Sequence, residues 1–152
     1  MNPSNGFRGE YRWLSNFYPA VVRLDGIDYP TVENAYQAAK LPKTSSDYAD
    51  RTFTRLAPAA AKRLARAYPL PHGWEEHKVT LMTNLLRQKF KHPDLRARLL
   101  ATEDAPIEET NSWNDVFWGV CKGKGKNMLG KIIMQIRADI RAETGLTASA
   151  GV

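Results

Sequence analysis

Prolines at 42, 58, 69, 71 and 93 cut the middle of the chain into short segments, and the pieces between them are helical in pattern. Proline lacks the backbone N–H that a helix interior or a central strand requires, so elements start or stop at these positions. Trp74 to Phe90 carries apolar residues at 74, 78/79, 81/82, 85/86 and 89/90, the spacing of a long amphipathic helix. Pro58 opens a helix over Ala59–Tyr68 with arginines and a lysine toward water, and Pro93 opens another over Asp94–Ala101. Thr31 caps a helix from Val32 to about Leu41, which Pro42 stops, and the Ser45-Ser46-Asp47 run reads as the cap of a short one. Leu129, Ile132, Ile133, Ile136 and Ile140 form the stripe of a last helix, from Asn127 to about Thr144, with Gly145 as its stop signal. Strand signals are few. Asp25-Gly26 between Val21-Val-Arg-Leu24 and Ile27-Asp-Tyr29 predicts a tight hairpin over 20–30, the aromatic run Tyr11–Pro19 reads as extended or irregular, and 105–109 as extended. These elements imply a predominantly helical α+β fold with a small sheet or hairpin: one domain over 1–145 and a disordered tail over 146–152.

Composition narrows the function classes. The chain has 152 residues, a formal charge of +6 and one cysteine. The charge favours a polyanionic partner such as a nucleotide, nucleic acid or phosphorylated metabolite. A single cysteine excludes an internal disulfide framework, and no run reads as a membrane span or signal peptide, so a cytoplasmic protein without a membrane partner is expected. His72, His77 and His92 are too scattered to suggest a zinc site, and metal-independent chemistry without a cofactor is the expectation.

Two stretches hold most of the chemistry. In Glu109–Gly130, carboxylates and indoles precede Lys122-Gly-Lys-Gly-Lys126 and Asn127, where a flexible cationic loop, its lysines and the N–H groups of a helix start could converge on an anion. Lys124, Gly125 and Asn127 are the positions that reading uses. The run is neither a P-loop nor a dinucleotide fingerprint, and a solvated loop explains it equally. Asp115 and Trp118 lie three apart, which suits stacking a base and acting on its sugar; packing is the alternative for Trp113, Phe117 and Trp118, and turn capping for Asp115. In the other stretch, Glu33, Gln37 and Lys40 share one face of the first helix and can reach one ligand or each other. Glu33 also suits the helix dipole, and Arg12, Ser15 and Asn16 are phosphate or sugar ligands or turn formers. Cys121 reads as a small core residue.

Phe7-Arg-Gly-Glu-Tyr-Arg-Trp-Leu-Ser-Asn-Phe-Tyr-Pro19 and Tyr29-Pro-Thr-Val-Glu-Asn-Ala-Tyr-Gln-Ala-Ala-Lys40 resemble the NADAR family, including its YbiA-like N-glycosidase branch. Ile107–Gly119, Gly125–Gly130 and Ile133-Met-Gln-Ile-Arg137 extend the resemblance to about residues 7–141. Asn34 departs from the pattern, since many members have histidine after the glutamate. The resemblance implies hydrolysis of a ribosyl C1–N bond, with two substrate classes: ADP-ribose on guanine in nucleic acid, or phosphoribosylated aminopyrimidines of riboflavin synthesis. The Glu109-x-Asn111-x-Trp113-x-Asp115 block, running on to Gly119, looks more like members that act on ADP-ribose. The reading is therefore removal of ADP-ribose from guanine, as an antitoxin or defence-reversal activity; a non-catalytic ADP-ribose or NAD-binding module and a nonspecific nucleic-acid binder are the other classes.

The oxocarbenium-like sugar of such a reaction calls for negative charge near C1 and a positioned water. Glu33 and Asp115 are the expected catalytic pair in one cleft, Glu33 orienting or deprotonating water and Asp115 holding ribose hydroxyls or stabilising the cation, or the two with their roles exchanged. Trp118, with Trp13 or Phe17, is expected to stack a base, and Arg12, Lys40 and the Gly123–Asn127 loop to hold a diphosphate.

Overall fold

The computed structural model describes residues 6–150, with side chains through 144, and its contacts cluster into two compact units, 16–89 and the remainder. The described residues form a predominantly helical α+β fold with small two-stranded sheets.

The 16–89 unit begins with β1 (Val22–Leu24) and β2 (Ile27–Tyr29), antiparallel with Val22 opposite Tyr29. Asp25 and Gly26 both take positive φ, 51° and 77°, the two left-handed residues of a tight primed turn. α1 (Val32–Ala38) follows, with Thr31 Oγ1 accepting from the Asn34 N–H. α2 (Ser46–Ala49) is capped by Ser45, a 3-10 turn spans Thr52–Thr54, and α3 (Pro58–Ala65) and α4 (Trp74–Lys89) complete the unit. α1 packs against both α3 and α4, and every residue of α1 is buried. The helix therefore has no solvated face, and its polar residues must find partners inside the protein. Asn34 does so fully: its Nδ2 donates to the carbonyls of Phe53 and Leu56 at 2.9 and 2.8 Å, and its Oδ1 accepts from Thr31 Oγ1.

In the other unit a 3-10 helix at Gly9–Leu14 takes in the start of the Tyr11–Pro19 run, which was expected to be extended or irregular. A short 3-10 segment is tolerated because burying Trp13 and Leu14 outweighs its poorer hydrogen bonds. α5 (Pro93–Ala101) leads to β3 (Thr110–Asn111), which pairs in parallel with β4 (Val120–Cys121). α6 runs Met128–Ala150 and buries the expected stripe of Leu129, Ile132, Ile133, Ile136 and Ile140. It passes through Gly145, where a stop was expected, and takes in 146–150 of the supposed tail; 151 and 152 lie outside the described residues. Glycine lowers helix propensity by about 1 kcal/mol but keeps its backbone donor and acceptor, so it permits a stop without forcing one.

Candidate active site

The two stretches singled out in the sequence become two differently built groups of residues. On α1, Glu33 is only 7% exposed. Its N–H donates to the Asn16 carbonyl at 3.0 Å, and its Oε2 accepts from Gln37 Nε2 at 2.6 Å. One turn further on, Lys40 Nζ lies 5.1 Å from the Tyr36 ring centroid and 5.6 Å from that of Trp74. Burial pushes the Lys40 amine below its ordinary pKa, Glu33 opposes that shift, and Lys62, Arg66 and Lys78 reinforce it. A buried carboxylate, a half-desolvated amine and a basic surround thus share one helix and its neighbours. Asn16 is buried as well, with Nδ2 3.5 Å from Met82 Sδ, whereas the Phe17 ring is 40% exposed.

In Glu109–Gly130 a hydrogen-bonded knot replaces the expected flexible loop. Asn111, buried, donates from Nδ2 to Glu109 Oε2 and to the Asp115 carbonyl, and its Oδ1 accepts from the N–H groups of Trp113 and Asp115. Asp115 Oδ1 accepts from the N–H groups of Phe117 and Trp118 at 3.1 and 2.9 Å. Asp115 is thus a turn former at one oxygen. Gly119 packs so tightly that a Cβ there would lie 2.2 Å from the Glu109 carbonyl oxygen, and one on Gly125 equally close to the Gly119 carbonyl.

Lys122-Gly123 forms a tight turn, with φ of 53° and 75° and reciprocal backbone bonds between Cys121 and Lys124. The anion cradle expected at the start of α6 is not formed. The N–H groups of Lys126, Asn127, Met128 and Leu129 donate to the carbonyls of Val116, Gly119, Phe117 and Trp118. Donors already bonded to carbonyls present no nest to a phosphate. Asn127 also does not cap the helix by its side chain: its φ is +50°, its Oδ1 accepts from the Glu109 N–H at 3.0 Å, and its Nδ2 donates to the Ile107 carbonyl at 2.8 Å. The side chain clamps the 107–109 segment to the helix start instead. What remains for an anion is the exposed lysines 122, 124 and 126, the last with Nζ 5.5 Å from the Phe117 centroid.

Trp13 is 4% exposed, 6.4 Å from Phe90 in an edge-on pair, and belongs to the core. Trp113 is 58% exposed and Trp118, edge-on to Phe117, is half-buried, so those indoles have surface for a ligand. Arg12 is exposed and Ser15 half-buried. Glu33, Asn16, Phe17 and Lys40 belong to the 16–89 unit; Arg12, Trp13, Ser15 and the Glu109–Asn127 positions belong to the other. The i, i+4 spacing that puts Gln37 on the face of Glu33, within reach of it, is the spacing at which it bonds that carboxylate.

A family model for the NADAR domain matches residues 5–141. N-glycosidase YbiA of Escherichia coli is 37% identical over 138 residues, covering 88% of this chain and 84% of that protein. An N-glycosidase of Nostoc punctiforme is 36% identical, covering 90% of each. A riboflavin biosynthesis protein of Vibrio vulnificus is 34% identical, with 85% of this chain matching 35% of that longer protein. The NMR structure of the Escherichia coli protein YbiA superposes with a TM-score of 0.77 at 35% identity, over 95% of this chain and 89% of that one. With the family model covering most of its length and relatives above 30% identity, the chain belongs to the NADAR family.

Proposed function

We propose that the chain hydrolyses the N-glycosyl bond between a ribosyl C1 and a nitrogen, and that its substrate is ADP-ribose carried on guanine in nucleic acid. The observation that carries the reaction class is Glu33, a buried carboxylate fixed at its main chain by Asn16 and at its side chain by Gln37, beside the cations around Lys40. Relatives that bear the name N-glycosidase support the same class. Glu33 takes a proton from water, the hydroxide bonds to C1, the C1–N bond breaks, and the proton passes to the departing nitrogen. Asp115 holds a ribose hydroxyl or stabilises the positive charge developing on the sugar, while Oδ1 keeps its turn. The basic residues near Lys40 and the exposed lysines 122, 124 and 126 hold phosphate, and the exposed faces of Trp113, Trp118 and Phe17 take the bases. These open aromatics and the charge of +6 favour a large polyanion.

A second substrate, a phosphoribosylated aminopyrimidine, is favoured by the relatives named as riboflavin biosynthesis proteins. Incubation with guanine-ADP-ribosylated DNA and, separately, with the aminopyrimidine ribotide separates the readings. Free ADP-ribose from the first supports the proposal, and ribose phosphate from the second alone replaces its substrate. No product from either, with tight ADP-ribose binding, makes the protein a binding module and removes the enzyme reading.

A further inference from the structure

Among the described residues, the buried side-chain polar atoms that lack a hydrogen-bond partner are Asn16 Oδ1 and Gln37 Oε1. Both belong to residues bonded to Glu33: Asn16 through its carbonyl to the Glu33 N–H, and Gln37 through Nε2 to Glu33 Oε2. An ionised carboxylate only accepts, so the Gln37 amide must turn its nitrogen to Glu33, and its oxygen is then left without a donor. Burying an unsatisfied acceptor destabilises a fold, whereas an apolar side chain of similar shape has nothing to leave unsatisfied. A glutamine that only filled space on α1 would be inferior to methionine at this position.

We infer that Gln37 is a positioning residue for Glu33, holding the carboxylate in its working rotamer and lowering fold stability by doing so. The inference rests on the reading of Glu33 as the water-activating group. Gln37 donates to the charged form of that group; without the donor the carboxylate binds its proton more tightly, so the acid limb of the pH profile moves to higher pH. Lys40 shares α1 with Glu33, and the other charged groups that act on Lys40 are Lys62 on α3, Arg66 just beyond it, and Lys78 on α4. None changes when Gln37 is replaced, so a shift of the limb reports the lost donor.

The test compares Gln37→Met, Gln37→Glu and Glu33→Gln with the wild type, measuring melting temperature and kcat/KM from pH 4 to 9 on whichever substrate the intact protein cleaves. Gln37→Met is expected to melt at or above the wild-type temperature, to lose on the order of 10²-fold in kcat with little change in KM, and to move its acid limb upward. Gln37→Glu should move the limb further, because paired carboxylates share a proton. Wild-type kcat and an unmoved limb in Gln37→Met overturn the inference, and if that variant does not fold, an unmoved limb in Gln37→Glu overturns it. An active Glu33→Gln instead sinks the reading of Glu33 itself, whereas an inactive Glu33→Gln beside an unaffected Gln37→Met sinks only the role of Gln37.

Discussion

Lys89 closes α4 with its side chain fully buried, and burial pulls its amine down to about 7. The unfolded chain holds that proton to a pKa near 10.4, so between about pH 7 and 10 it binds more protons than the native state and stability rises with pH. Below pH 7 both states carry the charge and the dependence from this group vanishes. Chemical denaturation at pH 7 and pH 9.5 should show this rise in the wild type and its loss in Lys89→Met. Asp115 makes a second prediction at this scale. Asparagine keeps a side-chain oxygen for the Phe117 and Trp118 N–H groups, so Asp115→Asn should fold normally and lose turnover, whereas Asp115→Ala should also lose about 1–3 kcal/mol of stability in urea titrations. Sequence could present these residues but not sort them. Trp13 and Trp113 are the same side chain, and only packing made one core and the other 58% exposed. Lys89 falls in an amphipathic stripe that chemistry would have assigned to an apolar residue. Glu33 lies on the helix expected, but its burial depends on α1 packing against both α3 and α4, which no local pattern encodes.

Elements were legible where punctuation is chemical. Pro58 and Pro93 open the helices expected of them, Thr31 caps α1, and Asp25-Gly26 turns the hairpin, because each restriction acts within a few residues. The start of α6 was misread because its N–H groups are answered by carbonyls of 116–119, a pairing set by the fold of the knot. The glycines separate these two kinds of information. Gly26→Ala has open space around it and only a left-handed φ to strain, so it should cost about 1–2 kcal/mol. Gly119→Ala drives a Cβ into the Glu109 backbone and should cost about 3 kcal/mol or more, with lost protection of the α6 amides in hydrogen exchange. Replacing Lys122, Lys124 and Lys126 together with alanine leaves these backbone bonds in place. Thermal stability should hold, while KM rises and its salt dependence weakens; an unchanged KM would reduce the turn to a connector.

For the whole molecule, the family resemblance carried across both stretches and holds over 5–141. The proposed catalytic carboxylates belong to different units, so any coupling between them is tested on the complete chain. A cycle of Glu33→Gln, Asp115→Asn and the double variant measures it. If both act in one transition state, the double variant should be little slower than the slower single one; strictly multiplicative losses would assign them separate tasks. The fold class was readable because short helices outnumber strand signals throughout the sequence. The division into two clusters was not, since it depends on which distant segments touch.

The ladder joining carbonyls 116–119 to amides 126–129 has one more consequence, for what this surface can become. Chain beyond the ladder leaves and returns at a fixed base, turning at the exposed Lys122-Gly123 pair. Doubling the length of such a closed excursion costs only about 0.6 kcal/mol of chain entropy. Segments of foreign sequence inserted at Lys122-Gly123 should therefore be accepted without disturbing the helix behind them, making this turn a place where new recognition could be grafted while the knot keeps its shape.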